Sequence, residues 1–289
     1  MTKDQKMKNN VRIQTAESCG VIRAAHFLHG KRPLVFEDAV AFELLGPDGR
    51  ERSIAEKEMG LGGGAGIVLG RARYTEDLLE KAVARSGVDQ YVLLGAGMDT
   101  FAMRRKDLLE TMRVYEIDRP ETQAWKRERM AQLGRELPMA LEFIPVDFEH
   151  ETIAEALGRS SYRSDRPTFF SWLGVLPYLT KEAILRTLES IATVTAAGSE
   201  IVFDYRVAME FVDPKEVALV QAGDQHTAQG GEPKLSFLNP HTFPQEVCAL
   251  GYALIENLSA KQLGERYFAG RDDELHPRSH HYYAHFRRR

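Results

Sequence analysis

The sequence has little of several features that would announce a class of protein. Only two cysteines occur in 289 residues, Cys19 and Cys248. They stand far apart in no metal-ligand or redox spacing, which excludes a disulfide scaffold and points to a reducing compartment. No window approaches the roughly 20 apolar residues that a membrane span requires, and the lysine-rich opening MTKDQKMKNN leads into no apolar signal core. The expectation is a soluble, cytoplasmic protein with no membrane partner. Charge of one sign is lacking as well: 38 Lys and Arg face 42 Asp and Glu, a formal net charge of −4, too balanced for a whole-chain grip on nucleic acid. The one dense basic run, Arg287 to Arg289, reads as a solvated tail without function. With 43% hydrophobic residues the chain can bury a large core, so disorder is excluded. Internal repeats and low-complexity linkers are absent, and 1–289 reads as a single domain.

Short β-rich runs alternate with helical patterns from about residue 75 onward, the signature of a parallel sheet covered by helices on both faces. Strands are expected at 91–94, 113–117, 141–146, 168–173 and 200–205, with helices near 75–86, 121–134, 151–157 and 181–195 between them. Thr75 and Thr180 are placed as helix N-caps and Gly198 as a stop. The stretch 222–240 is polar and broken by Pro233 and Pro240, so it reads as a loop or lid. A helix at 244–250, a strand at 252–258 and an alternating run at 281–286 close the chain, the last as an antiparallel strand beside the sheet. The division is thus an N-terminal helical cap (1–70), a core (71–206), a lid insertion (207–243) and a C-terminal helix with strands (244–289).

The most informative segment is YVLLGAGMDTFAMRR, an apolar strand running into Gly95-Ala96-Gly97. Glycines there let the backbone approach a ligand closely. About 20 residues on, the second strand ends in Glu116-Ile117-Asp118, where a carboxylate can accept from ribose hydroxyls. A dinucleotide fold would carry a third glycine to seat a pyrophosphate at the helix start. Here Thr100 takes that place, and Asp99 sets negative charge nearby, which suits a cationic ligand. S-adenosylmethionine, with its sulfonium and ammonium groups, fits better than NAD.

LLGAGMDTFAMR, VYEIDRPETQAWKRERM, FIPVDFEHE, PTFFSWLGVLPYLT, GGEPKLSFLNP and LSAKQLGERYFAGRDDEL follow one another along residues 14–286. In this order they resemble the leucine carboxyl methyltransferase-like family of S-adenosylmethionine-dependent O-methyltransferases, in its bacterial branch. The resemblance implies a class I methyltransferase fold, a Rossmann-like seven-stranded sheet with its last strand antiparallel and a helical lid. It assigns Gly95, Ala96 and Gly97 to the cofactor loop and Asp118 to the ribose, with Glu116 as near alternative; Asp99 joins them as a cofactor contact on its charge alone. It sets Asp147 and Phe148 against the adenine, and Arg71 against the cofactor carboxylate with Arg73 as second choice. One departure stands out: many members carry a glutamate before the YL of the fourth-strand motif, where this chain reads SWLGVLPY. That variant argues against a phosphatase-tail substrate and makes Trp172 and Tyr178 candidates for the wall of the site.

Other constellations carry less. GLGGGAG at 60–66 has no Gly-Lys-Ser/Thr behind it and reads as a hinge over the cofactor. His281 and His285 alternate on one strand face rather than forming a metal pair, so no metal is expected. HExxH and GxSxG are absent. Methyl transfer from a sulfonium is an in-line displacement that asks mainly for positioning. A carboxylate acceptor needs no base. A hydroxyl acceptor does, for which Tyr178, Tyr205 and His226 are the candidates, with Arg206 as a clamp for an acceptor carboxylate. The acceptor is expected to be a small molecule or a peptide C-terminus. A catalytically silent cofactor-binding protein and an NAD-dependent oxidoreductase are the rival readings, and oligomeric state is left open.

Overall fold

A computed structural model describes residues 3–59, 64–146 and 150–289. Helices α1 (Lys3–His29), α2 (Ala39–Leu44) and α3 (Pro47–Met59) precede a long helix α4 (Ala65–Ser86) that leads into the sheet. The core then runs β1 (Gln90–Leu94), α5 (Phe101–Arg104), α6 (Lys106–Leu109), β2 (Arg113–Asp118), α7 (Pro120–Gln132), β3 (Leu141–Pro145), α8 (Ile153–Gly158), β4 (Thr168–Trp172), α9 (Lys181–Thr193) and β5 (Glu200–Arg206). It closes with α10 (Val217–Gln229), α11 (Phe243–Ala249), β6 (Tyr252–Ser259), α12 (Ala260–Tyr267) and β7 (His281–Arg288). The seven strands lie in the order β3-β2-β1-β4-β5-β7-β6, the first five parallel and β7 antiparallel to both its neighbours. This is the α/β class I methyltransferase architecture.

Strands β1, β4 and β5 are buried along their whole length, as strands covered on both faces must be. Their alternation splits the core in two. Val92, Leu94, Phe170 and Phe203 meet α8, α9 and α11 on one face, while Tyr91, Leu93, Phe169 and Val202 meet α4 and α12 on the other. Because strand order reverses between β1 and β4, the crossovers part there and leave a crevice at the carboxyl ends of the strands.

Four local readings need correction. Helix α4 starts at Ala65, ten residues before Thr75, which is therefore interior and no cap. Gly66, the last residue of the expected hinge, lies inside α4 and serves close packing: a Cβ there would lie 2.0 Å from the His276 carbonyl oxygen. Residues 222–229 of the expected loop are the second half of α10, since Val217–Gln229 contains no proline and one tolerated glycine. Arg287 and Arg288 are no solvated tail but belong to β7, where Arg287 pairs with buried Glu200 and Arg288 donates to the Gly251 carbonyl. Thr180 does cap α9, accepting from the Ala183 N–H. The final alternating run is the antiparallel strand expected. Gly60 to Gly63 of the glycine-rich hinge lie outside the described residues, and no described helix is long and apolar enough to cross a membrane.

Candidate active site

A cavity of about 490 Å³ opens at the crevice above β1 and β4, within the range of sites that bury small molecules. Its floor is the turn after β1. Gly95 and Gly97 adopt positive φ, +69° and +51°, and the Gly95 and Ala96 amides both donate to the Ile117 carbonyl. Asp118 fixes the far end of the turn, its Oδ2 accepting from the Gly97 N–H at 2.6 Å and its Oδ1 from the Arg119 N–H at 2.7 Å. Burial pushes the Asp118 carboxyl up, although both amide hydrogen bonds oppose the shift. Asp118→Ala removes the loop's anchor, and is expected to weaken binding of S-adenosylhomocysteine roughly 10-fold by calorimetry. An unchanged affinity would remove Asp118 from the site.

The opposite wall is built around Arg71. It projects from α4, is mostly buried, and donates to Asp204 Oδ2 at 3.2 Å. Asp204 sits near the end of β5 and is fully buried. It also accepts from the Gly174 N–H at 2.6 Å and lies 3.1 Å from His281 Nδ1 on β7. Burial pushes the Asp204 carboxyl up, but Arg71, His281 and the Gly174 amide together outweigh it and hold the group well below the usual carboxylate range. Gly174 is required where it stands: its φ is +71°, and a Cβ would come within 2.5 Å of an Arg71 terminal nitrogen. The guanidinium therefore lies flat against the backbone after β4, one edge on Asp204 and the cavity beyond.

Arg71, Gly95, Ala96, Gly97, Asp99, Asp118, Trp172 and Tyr178 all line this cavity. Asp99 also accepts from the Phe101 N–H at the start of α5. Glu116 does not line it. Its side chain is buried against Lys126 Nζ at 2.6 Å, and burial lifts its carboxyl to about 7 despite that partner. Arg73, the second choice for the cofactor carboxylate, is half exposed and paired with Asp77. Asp147 and Phe148 lie outside the described residues. Three expected catalytic groups are also placed elsewhere. Tyr205 is buried in the core with its hydroxyl on Asn257. Arg206 is buried against Asp224, its NH2 group 2.9 Å from Oδ2. His226 is exposed on α10.

Asp204 and Gly174 belong to no recognised motif, although an aspartate inside the apolar run IVFDYR signals a buried charge that must have a partner.

The donor set fits a zwitterionic, cationic cofactor. The Arg71 guanidinium and the carboxylates of Asp118 and Asp99 line one chamber. Comparison with known proteins agrees. The leucine carboxyl methyltransferase family model matches residues 16–192. The chain is 31% identical over 207 residues to YktD of Bacillus subtilis, assigned as an S-adenosyl-L-methionine-dependent methyltransferase, covering 72% of this chain and 67% of that one. The chain belongs to the leucine carboxyl methyltransferase family. It is an S-adenosylmethionine-dependent methyltransferase. A Mycobacterium avium protein assigned to the same activity is 34% identical over 131 residues, 45% of this chain and 41% of its own length. The crystal structure of a DUF574 family protein from Streptomyces avermitilis superposes with TM-score 0.60 at 14% identity, covering 93% of this chain and 97% of that one. That last likeness concerns the fold alone.

Proposed function

We propose that this methyltransferase acts on oxygen, and that its acceptor is the carboxylate of a small molecule or peptide C-terminus. The observation that carries the reading is the state of Tyr178, the one candidate for deprotonating a hydroxyl that meets the cavity. No histidine or lysine is among the described residues lining the cavity. Of the groups considered for deprotonating a hydroxyl, only Tyr178 lines it. Burial, reinforced by Glu232, drives the Tyr178 hydroxyl upward, so it stays protonated at neutral pH. A carboxylate is already ionised and asks only to be oriented.

Bound in this cavity, S-adenosylmethionine supplies an electrophilic methyl group on sulfur. The protein's share is placement and exclusion of water. Arg71 would hold the methionine carboxylate and Asp118 the ribose, with Asp99 beside the glycine loop. Segment 207–243 serves in this reading as the lid: the Leu235 N–H donates to the Pro177 carbonyl at 2.7 Å and the Ser236 hydroxyl to the Leu176 carbonyl at 2.9 Å. These bonds tie the lid to the segment that carries Tyr178.

A carboxylate acceptor has a pKa near 4, so activity is expected to stay flat above about pH 6. The product is expected to release methanol in mild alkali, as an ester does and an ether does not. Isotopically labelled cofactor incubated with cell extract, followed by mass spectrometry, would provide that product. An alkali-stable label together with an inflection in the pH profile would replace the carboxylate by a hydroxyl, and label on nitrogen or carbon would overturn both.

A further inference from the structure

Asp38 precedes α2 and has no exposed surface, yet it belongs to none of the groups described so far. Its Oδ1 caps α2 by accepting from the Ala41 N–H at 2.9 Å. Its Oδ2 accepts from Arg23 Nε at 2.8 Å and from the Thr100 hydroxyl at 2.7 Å. Arg23 stands on α1 and lines the cavity. Oriented by Asp38, it donates from its other arm to the Met98 carbonyl at 2.6 Å. The Thr100 hydroxyl in turn accepts from Arg104 Nε at 2.9 Å, and Arg104 reaches back to Glu76 on α4. Met98 and Thr100 are the residues by which the chain leaves the glycine loop. One buried carboxylate thus grips the exit of that loop from the N-terminal helices, while Asp118 grips its Gly97 amide from the sheet.

We propose that Asp38 is a positioning residue for the cofactor, acting through Arg23 and Thr100 on the glycine loop, so that docking of α1 and α2 is coupled to cofactor binding. The proposal rests on the cofactor reading above. A capping residue alone would need neither the Arg23 nor the Thr100 bond, since the Ala41 amide engages the other oxygen. Charge makes the arrangement cooperative: Asp38 is the acidic partner of Arg23 and lies 3.4 Å from Arg104 Nε. Removing it leaves two guanidinium groups beside the loop with one fewer counter-charge. Coupling between sites is reciprocal, so a ligand that orders the loop must also hold the N-terminal helices more firmly.

The test is calorimetry of S-adenosylhomocysteine with the full chain and the variants Asp38→Asn, Arg23→Gln and the double variant. Amide hydrogen exchange over residues 16–45 is followed with and without the ligand. Each single variant is expected to lose affinity roughly 10-fold, and the double variant no more than either alone, because both cut the same connection. In the unaltered chain, ligand is expected to slow exchange across 16–45, and in Arg23→Gln that ligand-dependent protection should vanish at a temperature where thermal unfolding shows the variant folded. Should Asp38→Asn fail to fold, Arg23→Gln carries the test. Affinity equal to the unaltered chain in Arg23→Gln, losses that add, or 16–45 exchanging alike with and without ligand would overturn the proposal. An unaltered chain that binds no S-adenosylhomocysteine would instead overturn the cofactor reading, and this inference with it.

Discussion

Arg71→Ala is expected to weaken S-adenosylhomocysteine binding by roughly 30-fold or more, equivalent to about 2 kcal/mol. The guanidinium is held by Asp204 and the flat approach over Gly174 before any ligand arrives, so little ordering entropy is lost when it takes the carboxylate. The substitution also strips a buried carboxylate of its principal cation. Asp204 keeps the Gly174 amide and His281, but part of the measured loss would be fold rather than ligand contact. Adding Asp204→Asn separates the two: stability should recover and affinity should not. Arg73→Ala serves as the control, since its partner Asp77 and the Tyr267 ring lie away from the cavity. Calorimetry and thermal unfolding of the four proteins decide the matter. Affinity lost in Arg73→Ala and retained in Arg71→Ala would shift the assignment by two residues.

Lys126→Met is expected to be the most damaging change to stability, about 3–5 kcal/mol near pH 8. Both members of the Lys126–Glu116 pair are almost completely buried, and without the ammonium a carboxylate is left among apolar strands β1 to β3. The pH dependence follows from the raised Glu116 carboxyl. Its folded value, about 7, lies above the roughly 4.3 of an unfolded glutamate. Its contribution to stability is therefore complete below about pH 4 and is lost as pH rises through 7. Removing Lys126 lifts the folded value further and carries that loss to higher pH, so Lys126→Met should be far milder at pH 5 than at pH 8. Glu116→Gln added to it should restore most of the stability at pH 8. Urea unfolding at the two pH values is the measurement, and an equal cost at both would show that the lysine stem, not the charge, matters.

The sheet was legible in sequence because its strands are short, apolar and separated by amphipathic helices. The five parallel strands were located with ends displaced by one residue or not at all, and Gly95 to Asp118 marked the crevice. Failures have particular causes. Gly66 read as part of a hinge because a sequence does not show the His276 backbone that presses against it. Tyr205 and Arg206 were chosen as site residues by their chemistry, yet strand alternation turns Tyr205 into the core, and Arg206 is taken up by Asp224. Asp204, immediately before them, is the residue that reaches Arg71. His226 looked like a base in a lid and stands on an exposed helix face. Asp38 gave no sign at all: its partners Arg23, Thr100 and Arg104 are 15, 62 and 66 positions away, and only the fold brings them together.

The placement of β7 between β5 and β6 has a consequence for the order in which the molecule is assembled. β6 is synthesised first but has no sheet neighbour except β7, so it waits, unpaired, until a strand made later slots in beside β5. Pairings of such large sequence separation form slowly. The same late strand brings His281 to Asp204, which in turn steadies Arg71. Under the role proposed for Arg71, competence to hold the methionine end of the cofactor is acquired at the close of folding, and ligand-induced resistance to unfolding would distinguish finished chains from those whose sheet is still open.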